Sequence, residues 1–218
     1  MDLINFLSEI PDHLIEEILL EITPDEYMKF LQFSPYANTS PKFMIKYESR
    51  HLQTKTETNQ FRHIITTSYL GSMKHGYEKT YFKSRHGPDQ LHMVVPYRFG
   101  KKHGEERVYG KNSIDRMKKG LPGSIKSISH WINGKKEGDQ FYFHDPNREQ
   151  IEKGLSGSIH YISPYKNGKL NGYSESYYPS NDEKGPEKGP EKGLLHKRSL
   201  WKNGKQIGPE EIYDQISS

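Results

Sequence analysis

Cysteine is absent from the 218 residues, so no disulfide framework, thiolate metal site or cysteine nucleophile can be built, and the chain fits a reducing compartment. Apolar residues make up only 32% of the chain, and charges interrupt every apolar run before it reaches membrane-spanning length. The opening stretch, MDLINFLSEIPDHLIEEILLEI, is acidic where a secretory signal is basic. A cytoplasmic protein is expected. Eleven histidines are present, but no HExxH, no histidine pair at ligand spacing on one element and no glycine-rich phosphate loop accompanies them. Neither a catalytic residue nor a metal, cofactor or small-molecule substrate is expected.

What the chain does have is aromatic residues, at 12% with 15 tyrosines, which suits thin, half-exposed β structure better than a thick α/β core. The net charge of +4 is unevenly spread. Residues 1–40 carry eight acids against Lys29, a net of −7, which leaves +11 for the remainder. Two modules with different partners are implied.

In the first module Leu14, Ile15, Ile18, Leu19 and Ile22 follow the spacing of an amphipathic helix, with Glu16, Glu17 and Glu21 on the other side. That helix starts at Pro11 or Asp12. A second start follows in TPDEYMKFLQF, with Thr23 as N-cap, Pro24 at the first helical position and Glu26 closing a capping box. A third helix is expected from Pro41 to His51. The module is assigned to residues 1–56. Its stretch IPDHLIEEILLEITPDEYMKFLQFS resembles an F-box: Ile10 and Pro11, Leu14 and Ile15, Ile18 and Leu19, Pro24 and Asp25, and Phe33 and Ser34 fall on the pattern of that family. The usual basic residue and tryptophan that follow are replaced here by PYANTSPKF. The resemblance implies docking to a Skp-type adaptor of a cullin ubiquitin ligase through Ile10, Pro11, Leu14, Ile15, Ile18 and Leu19. The other reading of the same helices is a cap on the open end of the following domain.

The remainder, residues 57–214, repeats itself. Gly76, Gly104, Gly138, Gly172 and Gly208 serve as anchors, separated by 28, 34, 34 and 36 residues. Seven residues before each anchor stands Tyr69, Tyr97, Trp131, Tyr165 or Trp201, and five after it Tyr81, Tyr109, Phe143, Tyr177 or Tyr213. The last four units also carry a glycine and a lysine four and three residues before the anchor. Each unit reads as strand, turn, strand, giving hairpins near 66–82, 93–110, 126–144, 160–178 and 197–214. Loop parity decides where the aromatics go. A two-residue turn places Trp131 opposite Lys136 and sends Phe143 to the other face; a three-residue loop pairs Trp131 with Lys135 and gathers all ten aromatics on one face. The odd loop is the expectation, with a continuous aromatic stripe as its result. His75 and His103 share a slot with Glu137, Asn171 and Ile207, which reads as variable turn surface. KGLPGSIKSISHW and KGLSGSIHYISPY make the connections repeat too, and EKGPEKGPEKGLL marks a flexible loop at 180–194.

FGKKHGEERVYG and INGKKEGDQFYF resemble MORN repeats, although the units here are longer and lack the second glycine two residues after the anchor. The fold expected is therefore α+β: a three-helix module, then an elongated antiparallel meander of about five hairpins. The two resemblances together are similar to proteins of large DNA viruses of amoebae, which implies a host cytoplasm or a virion as the setting. They imply a non-enzymatic adaptor, with the F-box-like head on the ligase and the repeats on an unknown target. The alternative is a scaffold or virion component that assembles with itself through the sheet. A lipid headgroup or nucleic acid is a lesser partner class, because acids on the return strands dilute the basic field.

Overall fold

The computed structural model describes residues 17, 19–33, 41–84, 87–110, 112–180 and 192–213. Helical residues 19–21 precede α1 (Pro24–Phe33), and α2 spans Pro41–His51. The start of α1 is the box expected from its sequence. The Thr23 N–H donates to Glu26 Oε2 at 3.0 Å, and the Glu26 N–H donates to Thr23 Oγ1 at 3.4 Å. The Thr23 hydroxyl, which donates to the same Oε2 at 2.6 Å, and then the Thr23 N–H favour the carboxylate and hold the Glu26 pKa below its usual value. The first predicted helix lies largely outside the described residues, as do Ile10, Pro11, Leu14, Ile15 and Ile18.

The helical segment ends at His51, and residues 52–56, assigned to the helical module from sequence, are strand. β1 (Leu52–Thr58) follows α2 without a linker and pairs along its whole length with β2 (His63–Leu70). Its LQTKTET sequence is exposed throughout. Lys55 and Glu57 are the charges that protect such an edge from pairing with other chains.

From β2 onward the chain is an antiparallel meander. β3 (Met73–Phe82) is followed by β4 (Gln90–Arg98), β5 (Lys101–Lys102) and β6 (Gly104–Tyr109). Helix α3 (Ile114–Lys118) leads to β7 (Ile125–Ile132), β8 (Lys135–Lys136) and β9 (Gly138–Phe143). Helix α4 (Arg148–Lys153) leads to β10 (Ile159–Lys166), β11 (Lys169–Leu170) and β12 (Gly172–Tyr177). The last unit is β13 (Leu195–Lys202), β14 (Lys205–Gln206) and β15 (Glu211–Ile212). All these strands belong to one sheet in which chain neighbours are sheet neighbours. The expected loop at 180–194 falls mostly on residues outside the described set. No helix among the described residues is long and apolar enough to cross a membrane.

Helices α3 and α4 occupy connections that the sequence reading left without structure. Both have capped starts: Ser113 accepts from the Arg116 N–H, and Asn147 and Gln150 form a reciprocal capping box. Gly154 ends α4 in the left-handed conformation. The Arg116 guanidinium bridges the two connections, donating to the Pro122 carbonyl at 3.3 Å and the Lys153 carbonyl at 3.4 Å.

The hairpin turns have two residues, and the odd loop expected from sequence is wrong. Ile132 pairs with Lys135 and Trp131 with Lys136. Asn133 and Gly134 both take positive φ, 49° and 82°, as a type I′ turn requires. The same pairing recurs at Asn167-Gly168 and Asn203-Gly204, and with Phe99 in the asparagine position at Gly100. Beyond the turn, Ser129 and His130 face four residues, Glu137 to Gln140, before Ile128 pairs with Phe141. This bulge adds two residues to the return strand, so the parity of the even turn survives it. Each anchor glycine sits in such a bulge with a positive φ.

Two apolar clusters result. One joins Leu19, Leu20, Tyr27, Phe43 and Tyr47 of the helical segment to Leu70 at the first turn, with Phe99 of the second turn packed against it. The Tyr47 hydroxyl donates to the Ile22 carbonyl at 3.1 Å, and burial raises its pKa. The other cluster lies on one face of the later repeats: Phe143, Ile159, Ile162 and Tyr177, bordered by Ile125, Ile128, Phe141 and Leu195.

Candidate functional site

The ten repeat aromatics divide between the two faces of the sheet. Ser127 pairs with Tyr142 and Ile128 with Phe141, so alternation puts Phe143 on the face opposite Trp131. The same reading of the ladder places Tyr69, Tyr97, Trp131, Tyr165 and Trp201 on one face, here the lysine face, and Tyr81, Tyr109, Phe143, Tyr177 and Tyr213 on the other, the apolar face. The single ten-ring stripe is overturned, because an even turn cannot bring both arms' aromatics to one side.

On the lysine face each aromatic of units two to five lies directly across from the anchor glycine of the preceding unit: Tyr97 from Gly76, Trp131 from Gly104, Tyr165 from Gly138, Trp201 from Gly172. A ring over a glycine covers backbone that has no side chain of its own. It also keeps consecutive rings two strands apart, roughly 9.6 Å, and no ring in the column pairs with another. Lysines fill the intervals instead. Lys55 sits over Tyr69 and Lys74 over Tyr97, both at 5.1 Å, while Lys102 is 4.6 Å from the Trp131 centroid and Lys136 5.1 Å from that of Tyr165. Cation–π contacts of this kind contribute about 0.5–1 kcal/mol each when partly exposed. Leu170 and Gln206 break the series in the last two units.

A carboxylate backs the ladder at two positions. Lys74 pairs with Glu78, and Lys102 with Glu106 at 2.6 Å. Burial works against the charge on Lys74, but the hydrogen bond and charge of Glu78 outweigh it and its pKa is raised. Beneath the side chains runs a row of buried residues, Thr67, Val95, Ser129, Ser163 and Ser199, polar in every unit but the second. Glu106 stands opposite Ser129, Gln140 opposite Ser163, and Ser174 opposite Ser199. Gln140 Oε1, Ser174 Oγ and the indole nitrogens of Trp131 and Trp201 are buried without a protein partner.

The slot one residue before each anchor is not idle turn surface. Phe99 donates its N–H to His75 Nδ1 at 3.3 Å, and Asn133 its N–H to His103 Nδ1 at 3.4 Å. Asn167 donates to Glu137 Oε2 at 2.7 Å and Asn203 to Asn171 Oδ1 at 3.3 Å. Histidine, glutamate and asparagine share the ability to accept, and each binds the turn of the next unit. Ile207 holds the slot in the fifth unit, after which no further turn is found among the described residues. The turn glycines add a second link: the N–H groups of Gly100, Gly134, Gly168 and Gly204 donate at 2.8 Å to the carbonyls of Lys74, Lys102, Lys136 and Leu170. Stacked turns therefore form one continuous rim.

A second recurring device lies at the strand ends away from the turns, and not on the apolar face: Phe82 pairs with His63, one step along from the Ile64–Tyr81 pair of that face. His92, His160 and His196 are each the extra residue of a small bulge in the outgoing strand. Their rings lie 4.3–4.4 Å from those of Phe82, His144 and Tyr178. Lys126 has the equivalent place and packs over Gly110, while ion-pairing with Asp145. Burial, then the neighbouring His144 and His196, depress the pKa of His160.

Of the six residues read as an F-box-like docking face, only Leu19 is among those described, and it is buried at 1% exposure in the cluster with Leu70. Among the described residues no group of three or more acidic or histidine side chains is placed to hold a metal ion. Compared with known proteins, the chain matches no protein-family model and no curated protein.

Proposed function

We propose that the protein is a non-enzymatic interaction adaptor whose repeat sheet holds a target and whose N-terminal segment, similar to an F-box, is the handle for a Skp-type adaptor of a cullin ligase. The lysine face carries this reading. It repeats a rung of ring and ammonium from Tyr69 to Tyr165, with a buried polar residue beneath in all but the second unit, which is a surface for one extended partner rather than a pocket for a small one. Its rings of Tyr97, Trp131 and Tyr165 are half-buried with lysines above them, and such amphipathic anchors dominate interface energetics. On the F-box-like side the docking groups are Ile10, Pro11, Leu14, Ile15 and Ile18, with Leu19 left to the internal cluster.

One observation favours a second reading, a scaffold in which the helices only cap the sheet. Leu19 and Leu20 share their cluster with Leu70 of the first turn, as a cap would. A pull-down of purified Skp adaptor with the full chain separates the two. Retention by the native chain, lost in a Leu14→Asp, Ile15→Asp variant whose circular dichroism is unchanged, supports the adaptor. Equal retention of both, or retention of neither, leaves the cap and scaffold reading in its place.

A further inference from the structure

The hairpin turns bring together a set of charges that the sequence scatters. Cross-strand partners share a face, and next to the turns Arg98 stands opposite Lys101, Lys166 opposite Lys169, and Lys202 opposite Lys205. Lys135 stands opposite Ile132. Like charges directly opposed destabilise a ladder, yet the arrangement recurs in three of the four units. All seven cations are exposed, and none has a carboxylate partner among the described residues. The acids of the same hairpins are engaged elsewhere: Glu78 and Glu106 on the ladder lysines, Glu105 on Arg107, Glu211 on Arg198. Glu137 accepts from the Asn167 N–H, and Asp139, opposite Pro164, is a carboxylate on the rim's side of the sheet set back from the turn.

These cations line up. Lys101 packs over the Gly134 turn, Lys135 over Gly168 and Lys169 over Gly204, with side-chain atoms 3.6–3.8 Å from where a Cβ would lie. Two strands separate successive pairs, roughly 9.6 Å, so four turns make a row of about 29 Å. We infer that this turn rim is a binding site for the phosphodiester backbone of single-stranded nucleic acid, contacted through phosphate alone.

Three features select that ligand. The cation pairs themselves include no ring: the ring column lies on the other face, and the exposed Tyr77 and Tyr173 stand opposite Pro96 and Leu200, beside the second and fifth turns alone, too few and too far apart to read successive bases. The rim also lacks the row of apolar anchors with which a peptide is held in a groove; Ile132 is the one exposed apolar side chain among the cation pairs. And it is not flat. Adjacent strands of a sheet rotate by about 20–25°, hence roughly 40–50° per hairpin, and the cations of the second and fifth turns point about 120–150° apart. A bilayer surface meets two neighbouring turns at most, whereas a flexible polyanion follows the whole rim. The inference does not depend on the adaptor reading, since it uses neither the helices nor the lysine face.

Fluorescence anisotropy on the full chain tests it, using labelled oligouridylate and oligothymidylate of about 12 nucleotides. Binding of both probes with similar affinity is expected, weakening steeply between about 50 and 200 mM salt. In a variant with Lys166→Gln, Lys169→Gln, Lys202→Gln and Lys205→Gln, affinity should drop at least about tenfold, and the slope of log K against log salt should shrink by about 2–3. A control with Lys79→Gln, Lys83→Gln, Lys118→Gln and Lys119→Gln removes the same charge away from the rim and should change affinity by less than about threefold. Equal losses in the two variants overturn the site, and so does an absence of salt-sensitive binding. A tenfold preference for RNA over DNA overturns the phosphate-only contact. Displacement of the probe by polyglutamate or by phosphatidylserine vesicles at equal charge overturns the choice of ligand.

Discussion

Replacing Gly104 with alanine should cost the protein considerably more than the same change at Gly138, although the two glycines hold the same position in consecutive units. Gly138 has φ 72°, and a Cβ added there meets nothing within 4 Å. The left-handed conformation costs an L-residue about 1–2 kcal/mol, and the stiffer unfolded chain returns about 0.4–1 kcal/mol, for a net loss of about 1 kcal/mol. Gly104 has φ 116°, beyond the left-handed well, and its added Cβ would lie 3.1 Å from Pro96 Cγ and 3.4 Å from Pro96 Cβ. Strain there is about 3 kcal/mol before the proline is displaced, so the net loss is about 2–3 kcal/mol. For a chain of this size the melting temperature should fall by about 2–4 °C for Gly138→Ala and about 5–10 °C for Gly104→Ala. Thermal unfolding followed by far-UV circular dichroism reads both. The two glycines also lie across from large rings, Trp131 and Tyr165. Equal losses would mean that room for those rings, rather than backbone angle, is what each unit requires of its glycine, and the bulge argument would fail.

Other consequences concern the links between units and the histidine column. Glu137→Ile removes the acceptor of the Asn167 N–H and should lower stability by about 1–2 kcal/mol in urea unfolding, whereas Ile207→Glu, at a slot that meets no turn among the described residues, should be neutral; the reverse order would refute the acceptor role of the slot. The folded pKa of His160 lies below its unfolded value. The unfolded chain therefore takes up the proton first, and stability drops as pH falls from the unfolded value, about 6.5, through the folded one. His160→Phe keeps a ring against His144 and should flatten the fall in urea midpoint between about pH 7 and pH 5; an unchanged pH profile would assign the dependence to other groups.

Much of the repeat architecture could be read directly. The aromatic, Asn-Gly and glycine signals recur at one spacing, and each is local: a type I′ turn needs only its own two residues, and a strand only its own alternation. The spans expected for the hairpins and for the helix at Pro41–His51 rest on such signals. Turn parity was not legible, because WINGKKEG satisfies an even turn followed by a two-residue bulge as well as an odd turn with a one-residue bulge. The choice is made by Gly138 and its register with Tyr165, a partner in the next unit. The acceptor slot was hidden for the same reason. His75, His103, Glu137 and Asn171 look unrelated until the following turn is placed beside them. Strand β1 escaped because LQTKTET has no apolar face to bury, and its pairing depends on β2 rather than on its own composition.

The charge asymmetry between the two parts of the chain has a structural counterpart at the first turn. In later units the pair beside the turn is mostly cationic, but in the first it is Leu70 and Met73, and there the helical segment packs, with Leu70 fully buried. Asp25 of α1 accepts from the Ser72 hydroxyl at 2.9 Å in that same turn, and Glu48 of α2 meets His75 at 2.8 Å. The acidic segment thus covers the one turn whose cations have been replaced, and it bonds to the polar groups around it. Had Leu70 been the lysine or arginine of its successors, the Leu19–Leu70 cluster would have had to bury a cation, at a cost of several kcal/mol. Apolar substitution at the first turn and cation retention at the other four are therefore one design: the first turn accepts the helices, and the cationic rim begins where they end.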